Sequence, residues 1–135
     1  MADIGSTSLM RILLPALMVF VPACTFLLTG WSADLLKGIE AYANGDFPAA
    51  LRELKPLAKQ GDVEAQGMLG IMYDRGNGVP QDYKIALKWW NIAASRGHKE
   101  AAKYRDTIAA RITPAEITKA QDLARNCVEN DYKGC

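Results

Sequence analysis

Asp46–Ala65, DFPAALRELKPLAKQGDVEA, and Asp82–Ala101, DYKIALKWWNIAASRGHKEA, are one pattern written twice, thirty-six residues apart. Asp46 falls on Asp82, Phe47 on Tyr83, Ala50 on Ala86, Leu51 on Leu87, Ala58 on Ala94, Gly61 on Gly97, Glu64 on Glu100 and Ala65 on Ala101. Self-similarity at such a period marks a repeat architecture in which each unit is one supersecondary element. Upstream of Asp46 the shift is thirty-one, Tyr42 onto Tyr73 and Gly45 onto Gly76. The extra residues of the later unit are Asn77-Gly78-Val79-Pro80-Gln81. An insertion confined to a turn is what a helical hairpin tolerates.

Each unit reads as two helices. The first helix spans about Asp34 to Asn44 with Leu35, Ile39 and Tyr42 on one side, and Gly45 is placed to end it as a left-handed cap. Asp46 then caps a helix whose apolar residues Phe47, Ala50, Leu51, Leu54 and Leu57 follow helical spacing, with Pro56 expected to kink it near its end. Gly61-Asp62 repeats the stop and start, and Ala65, Met68, Leu69, Met72 and Tyr73 give the next helix one buried face. After the glycine-rich loop, Asp82 caps a helix carrying Ala86, Trp89, Ala93 and Ala94, closed by Gly97. A fifth helix runs from about Lys99 to Arg111. The sixth opens with Thr113-Pro114-Ala115-Glu116, a capping box with proline at the first helical position, and its stripe is Ile117, Ala120, Ala124, Cys127 and Val128. No segment alternates with period two, so the expected class is all-α without strands.

The globular part starts after the leader. Arg11 precedes the charge-free run from Ile12 to Ala33, a basic n-region and an apolar h-region. Gly30-Trp31-Ser32 suits signal peptidase, so the expected cut lies before Ala33 or Asp34, giving residues 1–33 as signal peptide and 34–135 as the repeat domain. Met10 is an alternative initiator, and a second possible cut follows Val21-Pro22-Ala23. Two rival readings stay open. One is an uncleaved anchor through residues 12–30, which approach the roughly 20 apolar residues of a membrane span but contain Pro15 and Pro22. The other is a lipoprotein modified at Cys24, where Pro22 is out of pattern. The expected location is periplasmic or secreted, or membrane-anchored if the run is retained. Cys127 and Cys135 then form an even pair in an oxidising compartment, and a disulfide between them is expected.

Formal charge is +1, and it stays +1 without Asp3 and Arg11, so no electrostatic footprint for nucleic acid exists. A single histidine leaves too few ligands for zinc.

The stretch from Ala65 to Ala101 resembles the Sel-one-like repeat (SLR) family, relatives of tetratricopeptide repeats. The motif residues are Ala65, Leu69-Gly70, Tyr73, Gly76, Gly78-Val79, Asp82, Ala86, Trp89, Ala93-Ala94, Gly97 and Ala101. Residues 38–61 look like a preceding repeat with a shortened loop, and the region after Gly97 like a degenerate third whose last helix acts as a cap. The resemblance implies antiparallel helical hairpins stacked as a short right-handed α-solenoid, and an adaptor role in multiprotein assemblies. Gly70 and the alanines permit close helix approach, and Tyr73 and Trp89 fill the space beside them. Trp90 neighbours Trp89 and cannot face the same way, so partial exposure is expected for it.

Catalytic machinery does not assemble on paper. Ser95 and His98 are separated by the helix-breaking Gly97, and no third residue orients the histidine. Gly76-Asn77-Gly78 follows a helix and lacks a phosphate-binding lysine. Cysteine-rich secreted members of the SLR family have been linked to β-lactam binding and hydrolysis, but those carry a disulfide in every repeat and the repeats here have none. The expectation is a non-catalytic module that binds another protein or peptide, without cofactor or metal. A membrane-tethered assembly factor is the alternative. In stacked hairpins the first helices line the concave surface, which nominates Lys37, Glu40 and Ala41 in one unit and Gln66, Gly67, Asp74 and Arg75 in the next, with Tyr42 and Tyr73 supplying apolar area.

Overall fold

The computed structural model describes residues 33–135, and every described element is helical. The proposed signal peptide, its cleavage site, Cys24 and the run 12–30 lie outside the described residues. In chain order the helices are α1 (33–43), α2 (Phe47–Lys59), α3 (Val63–Arg75), α4 (Tyr83–Ser95), α5 (Lys99–Ala109) and α6 (Pro114–Glu129). Among the described residues no helix is long and apolar enough to cross a membrane.

One local device makes most of the boundaries. A glycine at positive φ ends a helix, the next residue sends its N–H back to a carbonyl five residues earlier, and the same residue's side chain then caps the following helix. Asp46 bonds to the Ala41 carbonyl at 2.9 Å and accepts from the Ala49 N–H, after Gly45 at φ 77°. Asp62 bonds to Leu57 at 3.0 Å and accepts from Ala65, after Gly61. His98 bonds to Ala93 at 3.1 Å and accepts from Ala101 on Nδ1, after Gly97. Orphan carbonyls at one helix end and orphan amides at the next are thus satisfied within three-residue connections. Two connections differ, α3 to α4 and α5 to α6. Gly76 (φ 70°) and Gly78 (φ 73°) turn the longer loop, and Asp82 caps α4 through the Lys84 and Ile85 amides. The Thr113–Glu116 capping box opens α6, and the two hydrogen bonds from Thr113 hold the Glu116 carboxyl below its ordinary pKa.

Helix α4 is the hub: it packs against α3, α5 and α6, while α2 packs against α3. Its two tryptophans serve opposite sides. Trp89 joins a core with Ala50, Leu54, Leu57, Leu69, Met72 and Ile92, and Trp90 joins a second with Ala86, Ala93, Ala101 and Ile108. Trp90 is 1% exposed, against the expectation of partial exposure. Adjacent residues can both be buried on a helix with neighbours on several sides, and α4 lies between α3, α5 and α6. The indole Nε1 donates to the Gly67 carbonyl at 3.2 Å, and a Cβ on Gly70 would collide with the ring. The first hairpin repeats the arrangement, since Leu54 stands at the position of Trp90 in the thirty-six-residue register and a Cβ on Gly38 would lie 2.7 Å from it. Gly38 is therefore the buried residue of α1. Ile39, expected inside, is exposed, because α1 meets α2 over the glycine beside it.

Ala65, Leu69, Gly70, Ala86, Trp89, Ala93 and Ala101 are buried, Ala94 and Tyr73 half-buried. Helix α6 packs principally on α4 and runs in its direction, with Glu116 near Lys84 at the starts and Val128 near Ser95 at the ends. Ala120, Ala124 and Cys127 face inward, whereas Val128, expected in the stripe, is exposed. Past α6 the chain turns back through Asp131 and Tyr132, and Cys135 is bonded to Cys127 with their Cα atoms 5.5 Å apart. Arg96 donates to the Gly61 carbonyl and to the Tyr132 hydroxyl, tying the tail to the α2–α3 turn.

Candidate partner-binding groove

The binding positions expected on α1 and α3 do not share one surface. Tyr42 packs its ring on Phe47, centroids 5.5 Å apart, and its hydroxyl accepts from Arg75 Nη1 at 3.2 Å and Asn77 Nδ2 at 3.1 Å. Tyr42 and Arg75 therefore meet, in a polar knot that joins α1 to the end of α3. Lys37 is exposed and pairs with Asp34 at 3.2 Å, and Glu40 is exposed beside it. Tyr73 is half-buried between the two cores.

Gln66 cannot be a contact residue. It is fully buried, and its Nε2 donates to the Ala58 carbonyl at 3.1 Å, so it links α3 to the end of α2. A polar residue was expected to face solvent, but here a main-chain acceptor at a helix end draws it inward. Gly67, nominated with it, is also buried, under the His98 ring, and a Cβ there would come 3.0 Å from Nε2.

The groove that does open on α3 lies against α5. It has a volume of about 200 Å³ and is walled by Glu64, Met68 and Ile71 of α3 and by His98, Glu100 and Tyr104 of the α5 side, over Gly67 and Ala101. Glu64, Met68 and Ile71 follow one another at helical spacing beside the fully buried Ala65, Leu69 and Met72. Of that stripe only Met68 was placed by its spacing on the buried face expected for this helix. Its division into a buried half and a groove half depends on α5, which no local pattern reports.

The polar parts of the groove are fixed in orientation. His98 accepts from the Ala101 N–H on Nδ1 at 3.0 Å, so its ring proton sits on Nε2, 3.2 Å from the Glu64 carboxylate. Glu100 lies 3.8 Å from Nδ1. Tyr104 stacks on Trp90 with centroids 5.2 Å apart and remains 42% exposed. There is no nucleophile beside a base in this groove, and among the described residues no cluster of ligands could hold a metal ion.

Residues 63–98, from the start of α3 to the cap of α5, match the family model of the Sel1 repeat. The matched segment is similar to a Sel1 repeat. Its limits coincide with the hub of the fold, the α3–α4 pair with the histidine that starts α5. Sel1 repeats are tetratricopeptide-like helical units that generally mediate protein–protein interaction and are generally non-catalytic. The matched segment contributes one full wall of the groove and its histidine.

Proposed function

We propose that this protein is an exported, non-catalytic adaptor that holds a segment of another protein in the groove between α3 and α5. The observation that carries the reading is the groove itself: an apolar bed of Met68, Ile71 and Tyr104 with its polar groups at the rim, one wall of it supplied by a segment similar to a repeat that generally binds proteins. At about 200 Å³ it is smaller than the roughly 300–1,000 Å³ of small-molecule sites, which favours side chains of a longer ligand over a metabolite. Export is supported by the charge-free run after Arg11 and by the cysteine pair.

Site-specific photo-cross-linking tests the site. A photoreactive residue at Tyr104 or Met68 should capture a polypeptide in the cell of origin, and one at Arg52 on the far side of α2 should not. Capture from Arg52 with none from the groove would reject the assignment. A second reading, a membrane-tethered assembly factor, draws on the length of the run 12–30. N-terminal sequencing decides between them: a mature chain beginning at Ala33 or Asp34 supports the soluble adaptor, and a retained run supports the tether.

A further inference from the structure

The groove between α3 and α5 has an uneven charge balance. Glu64 and Glu100 flank His98, both carboxylates about two-thirds exposed, and no lysine or arginine lines the groove. One imidazole cannot cancel two carboxylates, and this one is committed to capping α5 through Nδ1 and to orienting Glu64 through Nε2. Beside the carboxylates stands Tyr104, one face held by Trp90 and the rest open. Two carboxylates next to an aromatic ring, over small residues at Gly67 and Ala101, are the surroundings in which a cation is stabilised by ion pairing and by the ring quadrupole. Met68 and Ile71 continue the floor as apolar surface on which an aliphatic stem or a neighbouring apolar side chain can lie.

Building on the proposal that this groove holds a partner segment, we propose that it selects a cationic side chain, arginine before lysine, flanked by an apolar residue. Arginine is favoured because its planar guanidinium can stack on Tyr104 while donating in-plane to a carboxylate, which an ammonium cannot do. The acidic rim also works against segments carrying Asp or Glu at that position, so it supplies discrimination as well as attraction.

The test uses the protein as recovered from its expressing cell and four synthetic peptides of alternating leucine with arginine, lysine, citrulline or glutamate. Heteronuclear NMR titration reads both affinity and place. The arginine peptide should shift the signals of Met68, Ile71, Glu100 and Tyr104 and bind about tenfold more tightly than the citrulline peptide, with the glutamate peptide weakest. Glu64→Gln and Glu100→Gln should each reduce the arginine preference about 2- to 5-fold, and about 0.5 M salt should shrink it, because the Debye length falls to roughly 4 Å. Tyr104→Leu should remove the preference of arginine over lysine while the helical CD spectrum is unchanged. Equal binding of arginine and citrulline peptides in the groove would overturn the charge selection and leave the groove as the binding site. Shifts confined to residues outside it would overturn the selection as well. Cross-linking from Tyr104 then reports separately whether the groove holds a partner at all.

Discussion

Trp90 sits in the notch that Gly70 leaves in α3 and donates its indole N–H to the carbonyl of Gly67, so the α3–α4 contact is a large ring seated on bare backbone. Gly70→Ala should therefore act by overpacking, although alanine is the better helix former by about 1 kcal/mol. The indole is rigid and fully enclosed, so it cannot give way, and a net loss of about 1–3 kcal/mol is expected. Urea denaturation of Gly70→Ala, Trp90→Phe and the double variant checks this, because the smaller ring should absorb part of the alanine's cost. Additive losses would mean that the two residues are not coupled.

That pair shows what could be read from the chain alone and what could not. Helix boundaries were legible because Gly61-Asp62 and Gly97-His98 carry stop and start in adjacent residues, a purely local mechanism. Trp90, Gln66 and Ile39 were misplaced because their environments are set by helices distant in sequence: α5 beside Trp90, the end of α2 beside Gln66, and the α1–α2 approach over Gly38 in place of Ile39. The groove was missed for the same reason. Its α3 wall is a helical stripe in the sequence, but Tyr104 and Glu100 come from the next unit, whose pattern after Gly97 is degenerate.

His98 and Asp62 occupy the same place in successive repeats, each capping the helix that follows through the third amide. His98→Ala should cost about 1 kcal/mol from the lost cap. His98→Asp should recover most of that stability, because the repeat already accepts aspartate there. It should also weaken binding of the arginine peptide less than Glu64→Gln does, since a carboxylate is added at the rim. Thermal melts of the two variants check the first statement and peptide titration the second. An aspartate variant as unstable as the alanine one would show that the ring, and not the cap, is what the fold needs.

The Cys127–Cys135 bond closes a short loop that carries Tyr132 to Arg96 and Cys135 to Lys88. By loop-closure entropy, opening it should lower stability by about 2–3 kcal/mol. Denaturation with and without reductant should show that loss in the wild type and none in Cys135→Ser. Reduction should also expose the chain beyond Asn130 to limited proteolysis. Thiol labelling of natively purified protein that finds both cysteines free would end the idea.

Lys88 is the group through which pH should act on this fold. Its side chain is 5% exposed, and its ammonium lies 4.3 Å from the Trp89 ring centroid and 3.2 Å from the main-chain oxygen of Cys135. Burial first, then the nearby charges of Lys59 and Lys55, lower its pKa from 10.5 to about 8. The folded state thus binds this proton less tightly than the unfolded chain does. Below about pH 8 both states are charged and the full penalty for burying the cation is present. As pH rises from about 8 to 10.5 the folded state gives up the proton first, the unfolded state holds more protons, and stability rises across that window. Lys88→Met keeps the stem and removes the charge. At neutral pH it should stabilise the protein by on the order of 1–2 kcal/mol, after a discount for solvent reaching the ammonium and for the lost bond to Cys135. The difference between the two proteins should then shrink toward pH 10, and the comparison cancels every pH effect that the two share. Denaturation midpoints of both proteins across that range decide the matter: parallel curves, or a methionine variant that is less stable at pH 7, would show that the buried ammonium is well solvated by its partners and carries no such cost.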